Sequence, residues 1–487
     1  MPNDAVPNSS RIFPPRFWWL KRVALACVVG VGLLGGFRAV WGYRARTCLQ
    51  DEIERIRARG EPLYPPDYMQ TDISNPDSLT ARLLAASDAL ALTRDELDII
   101  RRLPRVSRMA SQRPDVIAGL TARSAAAREF VREARHQGVL DHPLAVAGPN
   151  LPGRRALQGH WSRERSLTWI VTQAALHYHR AADTAEALTC LRDALWISDH
   201  LGQYPFLNSQ LWSQLAARWV VYYVEAMSPE LFDSESAGTL GSARAIEPAV
   251  RAAAAELIAA LLDDELARRQ FVAAVHTERT SELLRAEKVL NETERNLNTS
   301  LLAVISPDIL GAADRPLFEP IYRFDAARML RYLTAVSDAV AAPNWPGVQA
   351  ELPVRFRPTS DMELFTHPVL RRINMNIMWR TQLHFRTLAL RRMAAVGLAV
   401  WLFEAEHGDW PDRLEELTPE YLPALPPDPF AGDDRRIAYD PYVEPPILYS
   451  VGVNGIDEGG KLPADLNSRD HWRQADMPYF LNGDRPW

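Results

Sequence analysis

Cysteine is scarce in this sequence of 487 residues, which limits how the fold can be held together. Only Cys27, Cys48 and Cys190 are present. Three cysteines do not make a disulfide framework, and these three lack the paired spacing of a zinc site. We therefore expect apolar packing to stabilise the chain, and its length predicts two or three folded units.

Lysine is also scarce, with Lys21, Lys288 and Lys461 as the only examples. Nearly all positive charge is arginine, and the formal net charge is −6. This charge is unevenly placed, because residues 409–487 hold 16 acidic and 7 basic residues. An acidic C-terminal end argues against nucleic acid as a partner and suits a cation-binding loop.

The common catalytic signatures are absent from the sequence. It has no H-E-x-x-H zinc motif, no G-x-S-x-G nucleophile turn and no Walker phosphate loop. One G-x-G-x-x-G match at residues 30–35 lies in an apolar run without a βαβ unit, so we interpret it as chance. His177 and His179 are two residues apart and do not share a helix face, which favours packing or surface roles. We predict a noncatalytic protein.

A long apolar run is present near the N-terminus, from Val23 to Phe37. Extended to Tyr43, it reaches the roughly 20 residues that a membrane span needs. Arg38 lies near the end of this stretch, where its guanidinium can reach the headgroups. The aromatic residues that mark both membrane interfaces are Trp18, Trp19, Trp41 and Tyr43.

This pattern predicts an uncleaved transmembrane anchor over residues 23–43, and we assign residues 1–22 to a cytoplasmic tail on the ground of the calcium-type loop described below. A cleaved signal peptide is the alternative, but no small-x-small cleavage site follows before Arg44. Basic residues flank the run on both sides, so charge counting alone does not set the topology.

The middle of the chain has a helical pattern. We predict a stalk and linker over residues 44–77 and an α-helical body over residues 78–372. The clearest helical hairpin runs from Ser166 to Leu201, with its turn at Ala182–Asp183. Its small and aromatic residues resemble one tetratricopeptide unit. No 34-residue period recurs, which favours an isolated hairpin in an α-helical domain over a peptide-binding solenoid.

The C-terminal end carries the most specific pattern. A predicted helix from Ile373 to Glu406 breaks at the sequence E-H-G-D-W-P, and Tyr449–Gly460 reads Y-S-V-G-V-N-G-I-D-E-G-G. Asp465 follows this glycine-rich stretch. From about Leu383 to Asp470, this order of parts resembles the soluble end of the major pseudopilin of type II secretion systems. The resemblance implies a small α+β module over residues 373–487.

The same resemblance implies a calcium site. Carried over residue by residue, it gives side-chain oxygens of Asn454 and Asp465 and the backbone carbonyls of Val451, Ile456 and Leu466. Calcium takes six to eight such oxygen ligands with loose geometry. The sequence departs from the family at position 454, where an aspartate is expected, although Asp457 or Glu458 is placed to compensate. The alternative is a glycine-rich turn with solvated acids.

Together these patterns predict a mainly α fold with an N-terminal transmembrane helix. The whole chain resembles envelope proteins of planctomycete-like bacteria, and we predict a single-pass protein of the bacterial inner membrane. The calcium-type loop predicts a periplasmic body, because a weak calcium site fills outside the cytoplasm. Envelope proteins or a second copy of the chain are the expected partners. Two alternatives remain open: a pseudopilus-associated assembly component, and an envelope hydrolase. The hydrolase would require a cleft that gathers carboxylates with His160, His177 or His276.

Overall fold

A computed structural model describes residues 17–67, 79–90, 93, 96, 114–137, 152–232, 245–295, 315–352, 367, 369, 377–432, 435–461 and 471–483. The helices are α1 Trp18–Ala58, α2 Leu79–Ala89, α3 Pro114–Arg123, α4 Ala125–Gln137, α5 Pro152–Arg180, α6 Thr184–Gly202, α7 Leu207–Phe232, α8 Pro248–Leu261, α9 Asp264–Arg295, α10 Arg315–Val340, α11 Trp345–Glu351 and α12 Ile377–His407. The strands are β1 Ala438–Asp440, β2 Ile447–Ser450 and β3 Met477–Phe480. The prediction of a mainly helical fold with a small sheet is confirmed.

The first helix, α1, runs without a break through the predicted anchor and into the predicted stalk and linker as far as Ala58. Its apolar N-terminal part is exposed, and it is long and apolar enough to cross a membrane. Its C-terminal part buries one face against α10, including Ala45, Leu49 and Ile53. The helix ends before Gly60, which adopts a left-handed φ of 70° that glycine tolerates.

The helical hairpin predicted near residue 182 is formed by α5 and α6. Ala182 takes a φ of 60° in the turn, and the Asp183 side chain accepts a hydrogen bond from the Glu186 N–H. Such a cap satisfies one of the free N–H groups at the start of a helix. The two helices pack along their length, with α7 against both of them. The tetratricopeptide likeness of this hairpin stays a prediction.

Helix α12 lies inside the body and is buried on nearly all sides. Its arginines are buried with it and have partners. The Arg391 guanidinium bonds Asp199 at 3.0 Å and the Ala260 carbonyl at 2.7 Å, and the Arg392 Nε donates to Asp264 at 2.7 Å. Because α8 ends at Leu261, Arg391 supplies donors to carbonyls that have no partner within the helix.

The sheet is antiparallel with the order β1-β2-β3, and it packs against α12. Gly397 allows this close approach, because a Cβ there would lie 2.6 Å from Cε1 of Tyr479. The Trp401 indole N–H donates to the Leu481 carbonyl at 3.1 Å. Residues of α5–α8, α12, β2 and β3 therefore share one apolar cluster, while α1, α9 and α10 form most of a second cluster.

Candidate functional site

The glycine-rich segment after β2 forms a tight loop. Gly452, Gly455, Gly459 and Gly460 all have positive φ, between 67° and 76°. Gly452 is required for a second reason besides its positive φ, because a Cβ there would lie 2.5 Å from the Ala475 carbonyl oxygen. The sequence pattern of glycines thus has a conformational reason that requires no bound ion.

Asn454 uses its side chain within this loop. Its Nδ2 donates to the Gln474 carbonyl at 3.0 Å and to Glu458 Oε1 at 2.8 Å, and its Oδ1 accepts from the Ile456 N–H at 3.2 Å. The oxygen expected to bind calcium is therefore engaged in a turn. To bind calcium, Asn454 Oδ1 must either use its second lone pair or give up the hydrogen bond from the Ile456 N–H.

The other expected calcium ligands lie in different surroundings, and two of them lie outside the described residues. Val451 is buried, and its N–H donates to Asp428 Oδ2 at 2.9 Å. Ile456 has an exposed side chain on the outer part of the loop. Asp465 and Leu466 lie outside the described residues. The calcium site stays a prediction, and the described part of the chain holds no group of three or more His, Cys, Asp or Glu side chains with metal-site spacing.

Two carboxylates meet beside the loop, those of Glu458 and Asp476. Asp476 Oδ2 accepts from the N–H groups of Glu458 at 2.9 Å and Gly460 at 2.8 Å. Glu458 Oε2 accepts in return from the Asp476 N–H at 3.1 Å. Asp476 Oδ1 is buried without a hydrogen-bond partner. Burial and the neighbouring Glu458 raise the pKa of Asp476 to about 6, against the lowering effect of the two N–H groups.

This carboxylate pair offers charged oxygens, the donor type that calcium prefers, whereas Asn454 offers an uncharged amide oxygen. Asp457 is placed differently, since its Oδ1 accepts from the Tyr449 hydroxyl at 3.1 Å and from the Gly459 N–H at 3.0 Å. Sequence reasoning missed Asp476, which lies just before β3 and outside the glycine-rich stretch. Only strand pairing brings it to the loop.

His276, one of the histidines considered for a hydrolase, does contact a serine and a carboxylate. Its Nε2 lies 2.8 Å from Ser337 Oγ and 3.6 Å from Glu61 Oε2. Burial and the positive charge of Arg279 lower the pKa of His276 to about 4, so the ring is neutral at pH 7. In a serine hydrolase relay, the acid holds the imidazole nitrogen opposite the serine. Here both groups approach the same nitrogen.

Glu61 is moreover held by an arginine. Arg279 Nη1 donates to Glu61 Oε2 at 2.6 Å and to Thr334 Oγ1 at 3.0 Å. This cluster links the segment that follows α1 with helices α9 and α10. Its hydrogen bonds hold these three parts of the fold together. The His177 ring lies edge-on to Tyr178 at 5.6 Å, and the His160 side chain lies outside the described residues.

A third polar cluster is fully buried between α5 and α6. Glu164 accepts from the Tyr204 hydroxyl at 2.6 Å, and its second oxygen lies 3.1 Å from His200 Nδ1. A cavity whose lining includes Asp199, Gln214, Gln270 and His384 has a volume of about 20 Å³. A space of this size holds roughly one water molecule and is too small for an organic substrate.

Comparison with protein-family models, with curated proteins and with solved structures finds no match to this chain.

Proposed function

We propose that this protein is a noncatalytic, single-pass envelope protein that holds a helical body at a fixed position on the bacterial inner membrane. The observation that carries this proposal is the division of α1 into an exposed apolar part and a part packed into the body. Leu33 has 70% of its surface exposed, and Val31 and Leu34 are similarly exposed. A continuous exposed apolar surface of this size is typical of a membrane contact.

The packing of α1 supports an anchor over a cleaved signal peptide. Gly42 and Ala45 are buried against the body, and the same helix continues to Ala58. Removal of a peptide near residue 38 would cut a helix whose remainder belongs to the apolar core. The 21 residues of the proposed anchor, 23–43, span about 32 Å at 1.5 Å per residue, enough for a hydrocarbon layer of about 30 Å.

Membrane fractionation tests the anchor. The intact chain is expected in the alkaline-carbonate-resistant membrane pellet, and a variant that lacks residues 1–40 is expected in the soluble fraction. The cut falls before Gly42, so the packed half of α1 is retained. A matched internal variant, Leu33→Arg with Leu34→Arg, should weaken membrane retention without truncation. An intact chain that fractionates as soluble would disprove the anchor.

We place the tail over residues 1–22 in the cytoplasm and the body in the periplasm. The motive is the calcium-type loop, because a weak calcium site fills outside the cytoplasm and stays empty at submicromolar calcium. Alkaline phosphatase fused after Trp487 should therefore be active. Inactive phosphatase together with a fluorescent cytoplasmic reporter fusion would reverse the topology.

Calcium binding is tested best on the full chain, since α12 is buried within the body and an isolated C-terminal segment would expose it. Millimolar calcium should raise the melting temperature relative to chelator, because binding only to the folded state stabilises it. Asp465→Ala should abolish the rise, and Asn454→Asp should enlarge it. Asp476→Asn tests the Glu458–Asp476 pair, and its melting temperature in chelator measures the separate effect of the hydrogen bonds by which Asp476 holds the loop. Equal melting temperatures in calcium and chelator would leave a turn without an ion.

A second candidate role is that of an assembly component that docks on a secretion pseudopilus or another envelope protein. It is favoured by the hairpin between β1 and β2, where Tyr442 is 96% exposed and Val443 is also exposed. A photo-crosslinking residue at position 442 should capture such a partner, or a second copy of the chain, while one at exposed Glu415 serves as control. Equal labelling at both positions would argue against a docking role for the hairpin.

A further inference from the structure

A cluster of arginines lies where α1 enters the body. Arg38, Arg44 and Arg46 are on α1, and Arg323 is on α10. Glu319 lies among them and accepts from Arg38 at 2.8 Å and from Arg323 at 2.6 Å. Burial raises the pKa of Glu319, but these arginine hydrogen bonds outweigh burial and lower it below its usual value. Glu319 is thus an ionised carboxylate that Arg38 and Arg323 hold at close range.

The absence of a side chain at Gly42 lets Arg38 reach Glu319. A Cβ at Gly42 would lie 2.6 Å from Arg38 Nη1, so the Arg38 side chain runs along α1 over the bare Cα of Gly42. In this position it leaves the apolar segment and reaches Glu319. The guanidinium nearest to the proposed hydrocarbon layer on the body side therefore has its countercharge within the protein.

Arg44 and Arg46 are more exposed than Arg38. Arg46 Nη2 also donates to Glu319, at 3.5 Å, but 61% of its side chain is exposed, and Arg44 is exposed as well. These residues lie about 9–12 Å along the helix axis beyond Arg38. Arg46 extends back toward the membrane, since it reaches the same Glu319 carboxylate that Arg38 reaches at the level of Gly42. The usual lean of helical side chains toward the N-terminus directs Arg44 the same way. The headgroup layer is roughly 5–8 Å thick, and the arginine side chains are long enough to place their guanidinium groups among the lipid phosphates.

We propose that Arg44 and Arg46 bind the phosphodiester headgroup of an anionic phospholipid on the body side of the membrane. This inference rests on the proposed membrane span. A guanidinium pairs with phosphate oxygens through two parallel hydrogen bonds. An anionic lipid is preferred over a zwitterionic one because no choline or ammonium group offsets its phosphate charge. Trp41 and Tyr43 lie at the same level and suit the interface.

Nanodiscs that contain equal amounts of phosphatidylglycerol and phosphatidylcholine test this binding. The full chain is reconstituted and re-extracted with limited detergent, and the lipids that remain bound are quantified by mass spectrometry. We expect enrichment of phosphatidylglycerol and its loss in an Arg44→Gln, Arg46→Gln variant, by about fivefold per arginine. The matched control is Arg269→Gln with Arg413→Gln, whose side chains are 70% and 75% exposed elsewhere on the body.

The outcomes separate the two proposals. A chain that does not enter these mixed nanodiscs overturns the membrane span. A chain that enters nanodiscs but retains the two lipids at their bulk ratio overturns the lipid site alone, as does an equal loss of phosphatidylglycerol in both double variants. Displacement of the bound lipid by millimolar inorganic phosphate would assign the arginines to a free anion instead.

Discussion

The two helices α1 and α12 are both long and rich in apolar residues, yet their surroundings are opposite. The apolar residues in the first half of α1 are exposed, with Leu33 at 70%. Those of α12 are enclosed, with Leu398 and Val400 at 0%. Helices α7 and α8 and the sheet cover α12. Length and apolar content alone therefore do not tell a membrane span from a core helix.

Arginine distinguishes the two helices. Residues 23–37 of α1 contain no charged side chain, whereas α12 carries Arg391 and Arg392 in its buried middle. Those two arginines bond carboxylates and carbonyls from α6, α8 and α9 and from the loops beside them. Hydrocarbon provides no such acceptors, so a helix with this pattern needs protein around it. The absence of charged residues inside an apolar helix thus distinguishes a membrane span from a core helix better than its hydrophobic content does.

The largest expected effect comes from the same charge placed in both helices. Leu398→Arg buries an unpaired guanidinium in a filled core, and we expect it to cost more than about 4 kcal/mol and to prevent folding. Leu33→Arg should leave the body folded and impair membrane insertion by about 2.5–3.5 kcal/mol. Circular dichroism in detergent and membrane fractionation measure the two effects. A folded, membrane-bound Leu398→Arg protein would contradict the burial of α12.

A pair of glycine substitutions provides a finer comparison. Gly397→Ala places a methyl group against the buried Tyr479 ring, and we expect a loss of about 1–3 kcal/mol in the free energy of unfolding. Gly32→Ala meets no atom within 4 Å and should leave that free energy unchanged. Denaturant titration of both variants in detergent provides the measurement. Equal stabilities would mean that the sheet does not pack on α12 at Gly397.

Acid should weaken the core that surrounds α12 through His384. Burial, and then the charges of Arg268, Arg391 and Arg392, lower the pKa of this histidine to about 3. The folded state therefore holds the ring neutral, and its contribution to stability is complete above pH 6.5 and declines as the pH falls toward 3. Between pH 7.5 and pH 5 the loss should reach up to about 2 kcal/mol.

His384→Phe isolates this contribution, because phenylalanine keeps the stacking on Phe271 and does not titrate. Buried carboxyl groups with raised pKa values act in the opposite direction, but they are common to both proteins. As the pH falls, the unfolding free energy of the wild type should therefore decrease relative to that of His384→Phe. Parallel curves would contradict a neutral, buried His384.

The smallest expected effect concerns the junction of α1 with the body. Arg38→Gln and Glu319→Gln, alone and combined, form a double-mutant cycle with an expected coupling of about 1 kcal/mol. The coupling is modest because Arg38 is partly exposed and Glu319 keeps its contact with Arg323. Thermal unfolding in detergent measures it. A coupling of zero would mean that Glu319 does not hold Arg38 at this interface.

Parts of the candidate site could be predicted and others could not. The glycines of the loop are visible in the sequence because each permits a backbone conformation that other residues avoid. The bond from the Asn454 Nδ2 group to the Gln474 carbonyl is not visible, since it depends on where a residue 20 positions away lies in space. Asp476 was missed for the same reason. No sequence spacing links it to Glu458, and the pairing of β2 with β3 places it there.

The sequence by itself determined the mainly helical fold, the apolar N-terminal helix and the glycine-rich turn. Each of these depends on local composition or on backbone freedom within a few residues. Only the tertiary structure decided that α12 is enclosed, that Glu319 holds Arg38 across 281 positions, and that His276 meets Ser337 with Glu61 on the same nitrogen. Those features depend on the surfaces that distant segments present to one another, and local patterns do not encode which surfaces meet.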